Sequence, residues 1–404
     1  MNQIQQLINQ MCPNGVEWKT VQNVILSLKT GLNPRDNFVL NAGDADCYYI
    51  TGKEIQNNKI QVSDKTDLVS KDVVQLINKR AQLHSNVLLF ASTGTGTVGR
   101  MAIVGEYNGK WNVSETLYII TPKNCILLRF LMYVLYSTVA VNQFAPKISK
   151  GSVPHLKVVD LLKTQIPIPP LAIQTRIVEI LDHFTNLTAN LTAELNLRRK
   201  QFEHYREKLL SLDGVEGVEW KKLGEVCEYS KKRIVASELN NDNYIGVENL
   251  LQNKMGKTQS ECCPIVGSWT KFEVGDVLIG NIRPYLRKIW LADIIGGTNG
   301  DVLAIHIKDR AVLCSSYLYF ILSSEDFFTY DTNHSKGSKM PRGDKKAVLD
   351  YLFPIPPLAT QHSIVSILDK FTALIENIEQ EIALRQKQYE YYREQLLSFE
   401  RSTF

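Results

Sequence analysis

Two short stretches hold most of the side chains whose types and spacing could do chemistry. The first is Gly94-Thr95-Gly96-Thr97-Val98-Gly99. It fits the glycine pattern of a dinucleotide site, follows the strand-like run Asn86 to Ala91, and has an acidic residue, Glu115, about twenty positions on. Such a site must open a helix whose N-terminus binds the pyrophosphate. Here Met101 to Val104 and then Gly105 to Gly109 read as a short strand and a turn, so no dinucleotide is expected. The second stretch, Val277 to Ala292, places Asn281, Arg283, Tyr285, Arg287 and Lys288 between strand-like ends. Both stretches read as polar hairpins. Exposed Thr95, Thr97, Arg100 and Asn281 can reach base edges or phosphates, and Arg283 and Arg287 are the best candidates for base contacts because a guanidinium binds guanine bidentately.

A second group of candidates lies further along each half of the chain. Lys147, Lys150, Ser152, His155 and Lys157 crowd one segment, and Lys336, Ser338, Lys339, Arg342, Lys345 and Lys346 crowd another. The formal net charge is only +4, but phosphate contacts require local rather than overall excess. Other chemistries lack their residues. The seven cysteines form no Cys-x-x-Cys pair, and adjacent Cys262 and Cys263 lack the spacing of a zinc knuckle, so neither metal nor a disulfide framework is expected. An aminomethyltransferase needs an Asn/Asp-Pro-Pro-Tyr/Phe loop. Both Pro-Pro dipeptides here are Ile-Pro-Pro-Leu, so no catalytic residue is assigned. The apolar run Cys125 to Ala140 contains Arg129 and tyrosines and reads as a buried domain helix rather than a membrane span, as does Tyr317 to Leu322.

The elements that must position these residues occur twice. The segment Pro167 to Ser211 returns as Pro354 to Ser398 with 28 of 45 positions identical. One long offset marks a duplicated unit rather than a solenoid. In the second copy Phe371, Ile375, Ile378, Ile382, Arg385, Tyr389, Tyr392 and Leu396 alternate four and three apart, and in the first Phe184, Thr188, Leu191, Leu195, Arg198, Phe202, Tyr205 and Leu209 keep the same frame. That is a heptad seam, and its narrow apolar stripe predicts that the two helices bury it against each other. Pro170 and Pro357 suit the first helical turn, while Pro167 and Pro354 keep the preceding chain extended. Gly15-Val16-Glu17-Trp18-Lys19 returns as Gly217-Val218-Glu219-Trp220-Lys221, and Lys150-Gly151-Ser152 with Pro154 returns as Lys336-Gly337-Ser338 with Pro341. Between these borders the interiors diverge, and Trp18 and Trp220, lying in the shared borders, read as core. The expected order is an N-terminal helix (1–14, with Asn2 to Met11 helical), a first domain (15–166), a helix (167–212), a second domain (213–353) and a second helix (354–404).

With Gln174 and Gln361 completing Pro-x-Pro-Pro-Leu-x-x-Gln in both copies, each after a Gly-Ser-x-x-Pro stretch or its near variant, the chain resembles the specificity subunit of type I restriction-modification systems over essentially its whole length. The resemblance implies an α+β architecture: two globular target recognition domains separated by an antiparallel pair of long coiled-coil helices, internally duplicated with pseudo-twofold symmetry. It implies that each domain reads half of a bipartite DNA target and that the helices set the spacer. It further implies a non-catalytic, cytoplasmic chain that binds no cofactor itself. Its partners would be double-stranded DNA, two methylation subunits carrying S-adenosylmethionine, and restriction subunits using ATP and Mg. The near-tandem Leu187-Thr188-Ala189-Asn190 and Leu191-Thr192-Ala193-Glu194 offers a place where the spacer could lengthen by whole helical steps.

Overall fold

The computed structural model describes residues 6, 10–35, 37–212 and 214–402. The expected N-terminal helix, Asn2 to Met11, falls mostly on residues outside this set. The chain divides into two units, residues 1–190 with 382–404, and residues 191–381. Each contains one domain and part of each long helix.

In the first unit, β1 (Glu17–Thr20), β2 (Ile25–Thr30), β3 (Val87–Ala91), β4 (Met101–Val104), β5 (Leu117–Pro122) and β6 (Gln165–Ile168) frame the domain. A four-stranded antiparallel sheet runs β2-β5-β3-β4. Every residue of β3 is buried, and the two-residue strand period explains how. Leu88 and Phe90 point into one core with Tyr118 and Ile120, while Val87, Leu89 and Ala91 point into another with Leu117 and Ile119. A continuous apolar strand is thus required by a sheet covered on both faces. The second unit repeats the plan with β7 (Glu219–Lys222), β8 (Cys227–Tyr229), β9 (Val277–Gly280), β10 (Ile289–Leu291), β11 (Val302–Ile307) and β12 (Leu352–Ile355), its sheet running β8-β11-β9-β10. Val277 and Ile279 enter one core and Leu278 the other.

The run Cys125 to Ala140 is two helices rather than one. α1 (Leu128–Tyr136) stops at Ser137, whose extended backbone starts α2 (Thr138–Phe144). The second domain has the same break at Ser323 and Ser324, between α4 (Ser315–Leu322) and α5 (Glu325–Asn333), where the Ser324 side chain caps α5. Serine at such a junction satisfies backbone groups that a continuous helix would not expose.

The two long helices, α3 (Leu171–Ser211) and α6 (Leu358–Leu397), begin one residue after Pro170 and Pro357. The strands that precede them contain the paired prolines, and β1 and β7 pair with them so that Trp18 lies opposite Pro167 and Trp220 opposite Pro354. Proline is tolerated because each of these is a two-stranded edge ladder. The signature glutamines lock each helix start to its domain. Gln174 is fully buried; its Nε2 donates to the carbonyls of Cys125 (3.0 Å) and Pro169 (2.8 Å), and its Oε1 accepts from the N–H of Leu127 (2.8 Å), the residue that starts α1. Gln361 repeats this with Val312, Pro356 (both 2.8 Å) and the Cys314 N–H (2.8 Å) at the start of α4.

The heptad seam divides its work. In the second unit the helices are antiparallel: Tyr205 stacks on Phe371 at 5.4 Å while Arg199, six residues earlier, pairs with Glu379 at 2.6 Å. Ile378 is buried there and Ile375 is half-buried, as are Leu191 and Ile382 on either side of the unit boundary. In the first unit Phe184 stacks on Tyr392 at 5.3 Å. Other seam positions face their own domain instead. Ile173, Ile177 and Leu181 at the start of α3 are fully buried in the first domain's core together with Leu396, and Tyr389 packs against it; Phe202 and Leu209 pack against the second domain's core. Each helix therefore stabilises both a neighbouring helix and a globular core.

Candidate nucleic-acid interface

Both polar stretches are hairpin tips. In the first domain residues 92–100 connect β3 to β4, and in the second residues 281–288 connect β9 to β10. Each tip is held by the basic loop further along the chain, through the same backbone bonds. In the first domain Gly94 N–H donates to the Pro154 carbonyl (2.9 Å) and Leu156 N–H to that of Ser92 (2.8 Å); in the second, Arg283 N–H donates to Pro341 (2.7 Å) and Gly343 N–H to Asn281 (3.0 Å). Isolated bridges join Thr93 to His155 and Ile282 to Arg342. The prolines of the repeated Lys-Gly-Ser stretches are therefore acceptors for the tips, and the two candidate groups read separately from the sequence form one surface in each domain.

The tip geometry explains the glycines that mimic a dinucleotide motif. Gly94 and Gly99 have φ of +117° and +88°. Arg283 and Arg287 bracket a 3₁₀ turn, Pro284–Leu286, with φ of +53° and +54°. The first domain meets the left-handed requirement with glycine, at no steric cost, and the second meets it with two arginines at about 1–2 kcal/mol each. A bulky residue retained where glycine would be easier points to a use for its side chain.

The individual candidates separate once placed. Thr95, Lys147, Lys150, Ser152, Tyr285, Lys336, Ser338, Lys339 and Arg342 are exposed. Some of these already hold an ion partner: Lys147 lies 3.9 Å from Asp160, Lys336 2.6 Å from Asp344, and Arg342 2.9 Å from Asp301. Lys336, with backbone N–H groups of Lys346 and Ala347, holds the Asp344 carboxyl down at about 2. Two expectations of exposure are corrected. Thr97 is buried and its hydroxyl donates to the Thr93 carbonyl at 2.9 Å, because it folds back under the turn. Asn281 is also buried, since its backbone clamps the basic loop. Three cations are held by the protein. Arg100 donates to the Ile55 carbonyl at 3.3 Å. Lys288 donates to the Val247 carbonyl at 2.6 Å, its amine lowered by burial. Arg287 pairs with Glu325 at 2.7 Å, beside Lys254 at 3.1 Å from the same carboxylate. Arg287 thus fixes the tip to α5. Arg283 is half-buried, with an Nε that has no acceptor among the described residues. His155 is half-buried and its ring Nδ1 lies 2.8 Å from Thr93 Oγ1.

Sequence reasoning missed Asp331 on α5, which no local pattern signals. It is 1% exposed, its two carboxylate oxygens have no hydrogen-bond partner among the described residues, and burial pushes its carboxyl up to about 6. A Cβ at Gly343 would sit 2.6 Å from Asp331 Oδ1 and 2.8 Å from Asn281 Oδ1, so only glycine fits between them. At the equivalent places the first domain has Phe144 and Leu156, both buried in its apolar core. The floor beneath the second tip is polar and that beneath the first is apolar. Trp220 is a further correction: it is 59% exposed, because strand β7 lies at an edge, whereas Trp18 is half-buried.

No described group of three or more His, Cys, Asp or Glu side chains could hold a metal, and no described helix is long and apolar enough to cross a membrane. Comparison with known proteins supplies the family. The chain is similar to the specificity subunit of the Escherichia coli type I restriction enzymes EcoR124I and EcoR124II, 31% identical over 299 residues, covering 68% of this chain and 72% of that one. A putative type I restriction enzyme specificity subunit of Haemophilus influenzae is 30% identical over 339 residues, covering 77% and 82%. In fold it resembles the crystal structure of a type I restriction-modification S subunit from M. genitalium, with a TM-score of 0.56 at 15% identity over 95% of this chain and 96% of that one. The model of the type I restriction modification DNA specificity domain matches twice, at residues 15–197 and 215–384. With a recognition hairpin, a clamping basic loop and a long helix inside each match, the chain belongs to the type I restriction-modification DNA specificity family.

Proposed function

We propose that this chain reads a bipartite DNA target, one half with each domain, and that the helix pair sets the gap between the halves. The observation that carries the reading is the repeated hairpin tip, bonded through the same backbone positions to a loop rich in exposed lysines, while the tip sequences differ completely. Identical clamps with different side chains suit two readers of different sequences. Phosphates would be met by Lys147, Lys150, Lys336 and Lys339, which fix register without carrying sequence information. Base edges would be met from the tips, by Thr95 in the first domain and by Arg283 and Tyr285 in the second.

The chain itself carries no catalysis in this reading. It would direct adenine methylation by two methylation subunits that hold S-adenosylmethionine, and cleavage by restriction subunits that use ATP and Mg, in the cytoplasm. The test is an exchange of residues 15–166 for the first domain of another family member, followed by methylome sequencing of cells that also express the methylation subunit. One half-site should change and the other should persist. A change in both halves would refute independent reading.

A further inference from the structure

The two units differ at one place built from their shared borders. In the first unit Trp18 is covered by the chain's own C-terminal segment: the Arg401 guanidinium lies 4.7 Å from the ring centroid, Val16 N–H donates to the Glu400 carbonyl (2.9 Å), and Ser402 N–H donates to that of Val16 (3.0 Å). Beside it Glu394 closes the gap to α2. Its carboxylate accepts from the N–H and hydroxyl of Thr138 at 2.9 and 2.5 Å and from Arg393 Nε at 3.0 Å.

The repeat places Arg206 where the first unit has Arg393, Glu207 for Glu394, Glu325 for Thr138, and Gly214 for Arg401. None of the closing contacts can form. Glu207 meets the site of a carboxylate instead of a hydroxyl, and Glu325 turns away to Arg287 and Lys254. Arg206 is 2% exposed and donates through Nη2 to Glu203, but its Nε has no acceptor among the described residues. Gly214 brings no side chain to Trp220. The outcome is a cleft of ≈ 560 Å³ lined by Trp220, Tyr351, Leu210, Arg206, Glu207 and Asp326. Glu207 and Asp326 are exposed and have no ion partner among the described residues.

We propose that this cleft docks an extended segment of the partner methylation subunit, which lays an arginine on the Trp220 ring between Glu207 and Asp326 and offers an oxygen to Arg206 Nε. Three features select that occupant. An exposed indole face attracts a guanidinium. The two carboxylates favour a cation there and repel an acidic segment. A buried donor without an acceptor requires one from whatever covers it. The Arg401 segment over Trp18 shows the mode within the same chain: extended backbone, an arginine on the ring, and backbone oxygens turned inward. The proposal rests on the reading that the chain works beside a methylation subunit, and makes the second unit's border an open site where the first unit's is already filled.

The test measures the affinity of the intact chain for its methylation subunit, with DNA half-site preference scored separately. Trp220→Ala and Glu207→Arg should each weaken assembly about tenfold, Trp220→Phe should stay near wild type, and a photoreactive residue in place of Leu352, at the rim of the cleft, should cross-link to an arginine-bearing segment of the methylation subunit. Trp220 and Glu207 are exposed, so neither change threatens the fold. Wild-type affinity in both variants overturns the proposal, as does a cross-link to a second copy of this chain with only self-association lost. If the complex assembles normally but no half-site is read, the DNA-reading function fails and the docking site does not.

Discussion

Replacing Gln361 by leucine isolates what the repeated signature does. The side chain is fully buried and makes three bonds to backbone, accepting from Cys314 N–H and donating to the carbonyls of Val312 and Pro356, each at 2.8 Å. Leucine fills a similar volume but leaves all three groups unpaired. Each buried group so orphaned costs about 1–3 kcal/mol. Carbonyls with a second lone pair fall at the low end, so the sum is about 3 kcal/mol. For a cooperative unit of this size that lowers the melting midpoint by about 6–12 °C. Calorimetry on the intact chain should show the loss in one transition, and amide exchange should assign it to α4 and the start of α6. Gln174→Leu should do the same to the first unit through Leu127, Cys125 and Pro169. Gln361→Glu retains the acceptor but turns a carboxylate toward two carbonyls, so it should destabilise more at pH 8 than at pH 5, where protonation restores one donor. A cost below about 0.5 kcal/mol for leucine, or a glutamate variant indifferent to pH, would refute the view that the signature glutamine is a backbone clamp.

Three further outcomes follow from the interface. Arg283→Gly relieves a left-handed arginine at the entropic cost of a glycine, so stability should stay within about 1 kcal/mol of wild type while one position of the second half-site relaxes by about 1–3 kcal/mol; a uniform loss across all duplexes, measured by anisotropy, would make Arg283 a phosphate contact. Replacing Lys147, Lys150, Lys336 and Lys339 by alanine should weaken every sequence alike and flatten the salt dependence by up to about four charges, and an unchanged slope would remove these lysines from the interface. The Asp331 carboxyl, raised by burial to about 6 from an ordinary 3.8, binds its proton more tightly folded than unfolded. The second unit should therefore lose stability as pH rises between those values, by about 3 kcal/mol in all; Asp331→Asn should abolish that slope in pH-dependent denaturation, and a slope that survives would place the titrating group elsewhere.

Much of this architecture is written in the linear chain because it rests on local periodicity and on self-comparison. The duplicated Pro167 to Ser211 and Pro354 to Ser398, the four-three spacing from Phe371 to Leu396 and the prolines before each helix fix two long helices, two borders and two diverged interiors with no knowledge of any contact. The hairpins are legible too, because turn glycines and alternating strands are local signals. What only the tertiary structure decides is which partner each group finds. Gln174 and Gln361 look like exposed helix residues until helix starts 47 residues away in sequence need a cap. Arg283 and Arg287 look equivalent, and the fold gives one to Glu325 and leaves the other's Nε without an acceptor. Trp18 and Trp220 stand in identical motifs, yet the environment of each depends on whether Arg401 or Gly214 arrives beside it. Burial and pairing are properties of residues brought together from distant parts of the chain, and a periodic pattern records only the neighbours along it.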